Sequence, residues 1–237
     1  MSFGSDGWLD LTRALHDGHP VWPGDAPFEI AATARIPDGS SVNLLRFSGT
    51  THLGTHVDAP WHYDDAAPRL DSVPLDLLIG EARLVEVAPG DAAIAVEELP
   101  TGPLPARLLV RTGQPDAWER FPEAFRSFSA AAIDHLAAAG VRLLGTDAPS
   151  VDALTSRDLP AHHACGRNGV TIVEGLALAR APLGTGALAC LPLRIAAGVS
   201  HNFNNMLGVA FGNITLIKSI VGDDIDANAA DALTDVR

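Results

Sequence analysis

The sequence predicts an α/β (α+β) domain followed by a helical tail. Short apolar runs bounded by Gly, Pro and Asp indicate strands, and an alanine-rich stretch between two of them indicates a helix. Strands mixed with a few helices are typical of an α/β or α+β domain. The chain has 237 residues, of which 47% are hydrophobic, so it can build a sizeable core in one large domain or two small ones.

The main helix is predicted over residues 129–139, because Ser129 can cap its first turn and Gly140 stands just past its last. The predicted strands are 28–36, 43–48, 82–88, 106–112, 141–146, 170–174 and 187–195. Shorter helical segments are predicted near 74–80, 95–99 and 155–168.

The last forty residues follow a different pattern. From Leu207 to Val221 the apolar residues recur at intervals of three and four, which predicts an amphipathic helix. An acidic turn, "GDDIDAN", and the start of another helix, "AADALTDVR", come next. The sequence therefore divides into a domain over residues 1–196 and a helical tail over residues 197–237.

Composition limits the partners and the compartment. A formal net charge of −13 argues against nucleic acid, which needs a basic face. No run of 18 apolar residues is present, so we expect no membrane span. The N-terminus has no basic segment followed by an apolar one, and Cys165 and Cys190 are too few for a disulfide framework. We therefore expect a cytoplasmic protein.

Residues 51–65, "THLGTHVDAPWHYDD", contain a dense group of metal-ligand side chains. Imidazole nitrogen and carboxylate oxygen are the usual ligands of zinc and similar divalent ions. The glycine and proline between them make a long helix improbable, which favours a loop or a strand-to-helix turn. The ligand-type residues are His52, His56, Asp58 and His62.

A second segment is needed to complete a site for two ions. "AHHACGRNGVTIVEG", residues 161–175, supplies His162, His163 and Glu174. Glu174 ends an apolar, strand-like run, where it is equally well explained as a surface carboxylate or as a site residue. Cys165 is close to these histidines in sequence, but we expect it to be a buried, inert thiol.

"HLGTHVDAPWH" resembles the H-x-G-T-H-x-D-x-P-x-H signature of the metal-dependent cyclase-like hydrolases, and the resemblance covers about residues 8–196. Further segments agree in order and spacing: "PVWPGDAPF", "VPLDLLIGEARLVEV", "RLLGTDAPSVD", "AHH" and "IVEGLAL". Within that family the sequence most resembles the bacterial kynurenine formamidases, or arylformamidases. The resemblance implies a barrel-like mixed sheet with flanking helices, of the swivelling β/β/α type, and a homodimer.

The resemblance also implies two divalent metal ions per chain, zinc or else manganese, and iron suits the same ligands. The implied ligands are His52, His56, Asp58, His162 and Glu174, with Asp58 and Glu174 bridging the ions. His162 is preferred to His163 because the family spacing from histidine to glutamate is twelve.

Two further roles follow from the resemblance. His62 is similar to the catalytic acid/base of the family, and Trp22 is similar to the residue that packs on the aromatic ring of the substrate. Without the resemblance, Trp22 is better explained as an ordinary core tryptophan before a turn proline. Asp147 either orients a site histidine, as carboxylates behind metal ligands do, or caps a turn.

The implied reaction is the metal-dependent hydrolysis of N-formyl-L-kynurenine, an aromatic formamide, to L-kynurenine and formate in tryptophan catabolism. One alternative is hydrolysis of a cyclic amide or lactone such as isatin, which would use the same metal ligands. A second alternative is a non-catalytic interaction or phosphotransfer module.

The tail motivates the non-catalytic alternative. "HNFNN" resembles the phosphoacceptor H-box of sensor histidine kinases, with His201 as the phosphoacceptor and Asn202 where an acid is typical. No glycine-rich nucleotide motif accompanies it. A fused fragment, a dimerising helix pair and a coincidental match remain as explanations of the tail.

Overall fold

A mixed β-sheet is the centre of the structure. The computed structural model describes residues 7–192 and the backbone of residues 214–219. The strands are β1 (Trp8–Asp10), β2 (Glu29–Ala34), β3 (Leu44–Ser48), β4 (His56–Asp58), β5 (Ile79–Glu86), β6 (Arg107–Arg111), β7 (Leu143–Thr146), β8 (Thr171–Glu174), β9 (Gly184–Leu191) and β10 (Ile214–Ser219). The α-helices are α1 (Leu75–Leu78), α2 (Ala130–Ala138) and α3 (Pro160–Asn168).

Eight of the described strands form one sheet in the order β1-β10-β9-β5-β6-β7-β8-β4. The four strands from β5 to β8 are parallel, and those outside them pair antiparallel. β2 and β3 form a separate antiparallel pair. This architecture confirms the predicted α/β (α+β) class, and all seven predicted strands have a counterpart.

The sheet has a buried cluster on each face. α2 and α3 cover one face, where Phe128, Ile133 and Ile172 lie in the larger cluster. Val173 belongs to the second cluster, because successive side chains of a strand point to opposite faces. Glu174 is two residues beyond Ile172 and therefore projects from the face that carries α3.

The helix predictions hold with small shifts. The Ser129 hydroxyl accepts a hydrogen bond from the Ala132 backbone N–H at 3.1 Å, and Gly140 follows the helix with a φ of 111°. α3 begins at Pro160 and not at 155, since proline is favoured in a first helical turn and Leu159 before it adopts a left-handed φ of 43°.

The prediction of a helix through residues 207–221 is wrong for residues 214–219. Ile214–Ser219 is the strand β10, which pairs with β9 on one side and β1 on the other. Half of "ITLIKS" is β-branched, and the two flanking strands offer hydrogen bonds along both edges. These effects outweigh a helical spacing that rests on few residues. His201 and Asn202 lie outside the described residues.

The described helices are short. The longest, α2 and α3, have nine residues each, whereas a membrane-spanning helix needs about 20. No helix in the described part of the chain is long and apolar enough to cross a membrane.

Two glycines with the same backbone conformation test how closely β8 approaches residues 51–56. Gly175 has φ +65° and a Cβ there would collide with the Gly54 carbonyl, whereas Gly169 has φ +64° and open space. Both alanine substitutions should cost about 1–2 kcal/mol of backbone strain. We predict that Gly175→Ala lowers the free energy of unfolding by at least about 2 kcal/mol more, measured by urea denaturation. Equal losses would contradict the close approach.

Candidate functional site

Residues 51–65 and 161–175 meet through strand pairing. β4 pairs antiparallel with β8, and the register places His56 directly opposite Glu174. Residues opposite each other in such a pair share one face of the sheet. The 3-10 helix at Pro60–His62 follows β4, so the histidine segment lies on a strand-to-helix turn, as predicted.

The Asp58 carboxylate is the centre of the site. Asp58 is 1% exposed and is faced by imidazole nitrogens from three sides. His52 Nδ1 and His56 Nε2 lie 3.0 and 3.3 Å from its Oδ1. His162 Nε2 lies 3.3 Å from its Oδ2.

These short distances are not hydrogen bonds. Neither oxygen of Asp58 has a hydrogen-bond partner among the described residues, and neither does His56 Nε2. Atoms that share a zinc ion at about 2.0–2.1 Å in tetrahedral geometry lie about 3.3 Å apart. The separations around Asp58 therefore fit ligand atoms directed at a common ion, and the donor set of imidazole and carboxylate suits such an ion.

Asp58 belongs to two adjacent groups that could hold a metal ion. The ligand atoms of His52, His56 and Asp58 lie within 4.8 Å of one another, and so do those of Asp58, His62 and His162. Glu174 spans both groups, with Oε2 at 3.4 Å from His56 Nε2 and Oε1 at 3.7 Å from His162 Nε2. Each of the two groups could therefore hold a metal ion, and Glu174 lies close to both.

The buried carboxylates and imidazoles of the site shift one another's pKa values. Burial favours the neutral ring of His56, but the carboxylates of Asp58 and Glu174 outweigh it and raise the pKa of His56 to about 10. Against the same effect of burial, Asp152 and Asp58 raise the pKa of His162 to about 10. Burial alone would raise the pKa of Asp58, yet the histidines hold it well below its usual range. Positive charge is therefore strongly favoured between these carboxylates.

Asp152 orients His162. His162 Nδ1 donates to Asp152 Oδ2 at 2.7 Å, and the same carboxylate accepts from the backbone N–H groups of Ala161 and His162. Because a carboxylate only accepts, Nδ1 carries the proton and Nε2 is directed to Asp58. Asp152 was not among the site residues predicted from the sequence, although it ends the segment "RLLGTDAPSVD".

Asp147 caps a loop. Its Oδ1 accepts from the backbone and hydroxyl of Thr112, and its Oδ2 accepts from the backbone of Gly113 and Gln114. Of the two roles considered for Asp147, the loop cap is the observed one, and the histidine-orienting role belongs to Asp152.

Arg13 fixes the chain beside Glu174 and was also missed. Its guanidinium donates to the carbonyls of Gly175 and Leu176, and Thr55 Oγ1 donates to the same Gly175 carbonyl at 2.6 Å. The Val151 N–H holds Glu174 Oε1 at 2.7 Å. No sequence motif marks Arg13, because its partners are backbone carbonyls far along the chain.

His62 lies beside the centre on its exposed side. Its ring stacks on His52 with 3.7 Å between centroids and lies 5.8 Å from the ring of His162. The partial loss of water around the ring, followed by the influence of His52, lowers the pKa of His62 to about 4. The ring is therefore neutral near pH 7 and keeps a free nitrogen lone pair, but a pKa this low makes it a weaker base than an ordinary imidazole.

Three other residues singled out in the sequence, His163, Cys165 and Trp22, belong to neither group around Asp58. His163 is exposed, so His162 is the histidine that faces Asp58. Burial raises the pKa of the Cys165 thiol, in agreement with an inert group. Trp22 is half-buried and packs edge-to-face on Phe121 at 5.4 Å.

The family is decided by comparison with known proteins. The cyclase family model matches residues 9–153, which is more than half of the chain. The chain belongs to the cyclase family. The matched range includes the histidine segment, residues 51–65.

Curated relatives of this cyclase-family chain are bacterial. It is 40% identical over 191 residues to the kynurenine formamidase of Geobacillus thermodenitrificans, which covers 78% of this chain and 90% of the relative. It is 41% identical over 196 residues to the kynurenine formamidase of Salinibacter ruber, which covers 80% and 92%.

Solved structures share the fold. A protein described as a potential metal-dependent hydrolase with cyclase activity superposes with a TM-score of 0.70 at 23% identity, over 89% of this chain and 96% of that one. Isatin hydrolase A from Labrenzia aggregata gives a TM-score of 0.69 at 20% identity, over 89% and 93%. At these identities the likeness concerns the fold alone.

The contact between Asp152 and His162 should control metal affinity. We predict that Asp152→Asn weakens zinc binding about 10–100-fold, because an amide no longer fixes the proton on Nδ1. Competition with a chelating dye measures the Kd. Asp134→Asn, which alters an exposed carboxylate on α2 paired with Arg167, should leave the Kd unchanged. Wild-type affinity in Asp152→Asn would refute the orienting role.

Proposed function

We propose that the protein is a metal-dependent arylformamidase that hydrolyses N-formyl-L-kynurenine to L-kynurenine and formate in tryptophan catabolism. The carrying observation is the buried Asp58 carboxylate, which three histidines approach without hydrogen bonds. Relatives about 40% identical over most of the chain are kynurenine formamidases, which supports the choice of substrate.

In this proposal two divalent ions are held by five residues: His52, His56, Asp58, His162 and Glu174. Asp58 and Glu174 would contribute to both ions, because each lies close to histidines of both groups. Zinc suits this donor set best and manganese is acceptable. When bound, such ions lower the pKa of water and polarise a carbonyl group.

His62 is proposed as the proton carrier. Its neutral ring accepts the proton that water loses when the water oxygen bonds to the formyl carbon. As the carbon–nitrogen bond breaks, the same nitrogen of His62 returns the proton to the aniline nitrogen of L-kynurenine. Its stacking on His52 holds the ring beside the centre during both transfers.

Trp22 is proposed to bind the aromatic ring of the substrate. A flat indole surface can pack on an aniline ring, and Phe121 packs edge-to-face on the Trp22 indole with 5.4 Å between ring centroids.

A cytoplasmic homodimer completes the proposal. The hairpin of β2 and β3 exposes several large apolar side chains, at 54–62% of their full area, and a second copy of the chain would cover them. They are Ile36, Val42, Leu44 and Leu45.

Hydrolysis of a cyclic amide or lactone such as isatin is the second candidate. Its support is the shared fold with isatin hydrolase A, and it would use the same metal ligands. The phosphotransfer alternative rests on His201, which is outside the described residues.

Metal removal tests the reaction directly. The zinc-loaded protein should hydrolyse N-formyl-L-kynurenine with a kcat/KM at least about 100-fold above that for isatin. Dialysis against a chelator should abolish turnover, and zinc or manganese should restore it. Both substrates are followed by absorbance. Preference for isatin by the metal-loaded protein would replace the first candidate with the second.

Substitution of His62 separates proton transfer from metal binding. We predict that His62→Ala lowers kcat about 10²–10⁴-fold while the metal content per chain, measured by elemental analysis, stays at the wild-type value. Glu174→Gln should instead lower the metal content. His163→Ala provides a matched control, because His163 is exposed and should affect neither quantity. Loss of metal from His62→Ala would make His62 a ligand.

A further inference from the structure

Tyr63, an aromatic residue beside the metal centre, has no role in the proposed reaction. It directly follows the 3-10 helix Pro60–His62, and its backbone N–H donates to the Pro60 carbonyl at 3.2 Å. Within residues 61–66, Tyr63 is the only residue that is not exposed. It is therefore the side chain by which this turn packs against the interior of the domain.

The Tyr63 ring packs on α3, the helix that carries His162. The centroids of the Tyr63 and His162 rings lie 5.3 Å apart, and Tyr63 packs against the larger buried cluster, which includes residues of α3. The contact extends to Gly166, because a Cβ built there would lie 2.9 Å from Tyr63 Cε2, closer than a real Cβ approaches. Glycine at this position therefore leaves the space that the Tyr63 ring occupies.

The surface that receives Tyr63 is held in place without help from the turn. The Asp152 carboxylate accepts from the backbone N–H groups of Ala161 and His162 in the first turn of α3, and from His162 Nδ1 at 2.7 Å. The first turn of α3 is therefore a fixed support against which the Tyr63 ring can set the position of the 60–62 turn.

The position of the His62 ring depends on that turn. His62 is exposed, and its ring is contacted by other rings, at 3.7 Å from His52, 5.8 Å from His162 and 6.4 Å from Tyr63 between centroids. Exposed side chains change rotamer rapidly, so a movement of the backbone beneath His62 would displace its ring. A misplacement of about 1 Å at a reacting group can lower the rate about 10²-fold.

We propose that Tyr63 is a positioning residue for His62. Its ring, packed on His162 and Gly166, fixes the turn so that the His62 imidazole stays beside Asp58. The ring acts by packing, and its hydroxyl is not required. This inference rests on the proposed role of His62 as proton carrier.

Two substitutions of Tyr63 separate the ring from the hydroxyl. In the zinc-loaded protein, Tyr63→Ala should lower kcat for N-formyl-L-kynurenine about 10–100-fold and leave KM near the wild-type value, because it misplaces His62 and not the substrate. Tyr63→Phe keeps the ring and should retain the wild-type kcat. The metal content per chain should be unchanged in both variants, since Asp152 fixes His162 separately.

Gly166→Ala displaces the Tyr63 ring without removing it, and it is the second variant if Tyr63→Ala fails to fold. Alanine is favoured over glycine inside a helix, so α3 should remain intact while the new Cβ displaces Tyr63 Cε2. We predict a lower kcat in Gly166→Ala and no further decrease when this change is added to Tyr63→Ala.

Trp61 offers a matched control on the other side of His62. Its ring is 41% exposed and lies against the Arg69 guanidinium, 4.0 Å from the ring centroid. Trp61→Ala removes an aromatic ring from the same turn and should leave kcat unchanged.

The position of His62 is also measured without turnover. A nuclear Overhauser contact between the ring protons of His52 and His62 should be present in the zinc-loaded wild type and in Tyr63→Phe, and it should be lost in Tyr63→Ala. This measurement decides the inference even when the wild-type protein hydrolyses neither substrate, a result that would refute the proposed function instead.

Three results would overturn the positioning role. The first is a wild-type kcat or an intact His52–His62 contact in Tyr63→Ala. The second is a loss of kcat in Tyr63→Phe as large as in Tyr63→Ala, which would assign the role to the hydroxyl. The third is an equal loss in Trp61→Ala, which would assign the effect to the turn as a whole.

Discussion

The burial of one carboxylate shapes the rest of this structure. Asp58 is 1% exposed and has no hydrogen-bond donor among the described residues, so its charge must be balanced by cations. Protons on the surrounding histidines or bound metal ions can supply that balance. Bound metal ions would account for three imidazoles that approach Asp58 closely without hydrogen-bond geometry, whereas protonated rings would be expected to direct N–H groups at its oxygens.

The sheet holds this charge in place by tertiary contacts far apart in sequence. Pairing of β4 with β8 sets His56 against Glu174, and the close approach of Gly175 to Gly54 leaves no room for a side chain. Arg13 then fixes the carbonyl after Glu174, and Asp152 fixes His162. Arg13 holds the backbone next to Glu174, and Asp152 holds the second ring nitrogen of His162. The remaining polar atoms of Glu174 and His162 therefore stay directed toward the other candidate ligands.

The features that could be predicted from the sequence depend on residues close together in the chain. The capped helix α2 rests on a short-range pattern, and the structure confirms it. The candidate ligands within residues 51–65 rest on a similar pattern, and their side chains come together around Asp58, but their role as ligands stays a prediction. Asp152 and Arg13 were not predicted, because each contacts the site only when segments distant in the sequence meet. β10 was assigned to a helix because five apolar residues between Leu207 and Val221 fit a helical period, whereas pairing on both edges favours a strand.

A crystal structure with anomalous scattering recorded at the zinc edge would show whether metal ions bind beside Asp58. We predict two anomalous peaks per chain on either side of the Asp58 carboxylate, one near His52 and His56 and the other near His162. A single peak would contradict the shared role of Asp58. No peak beside Asp58 in zinc-loaded protein would contradict the metal centre itself.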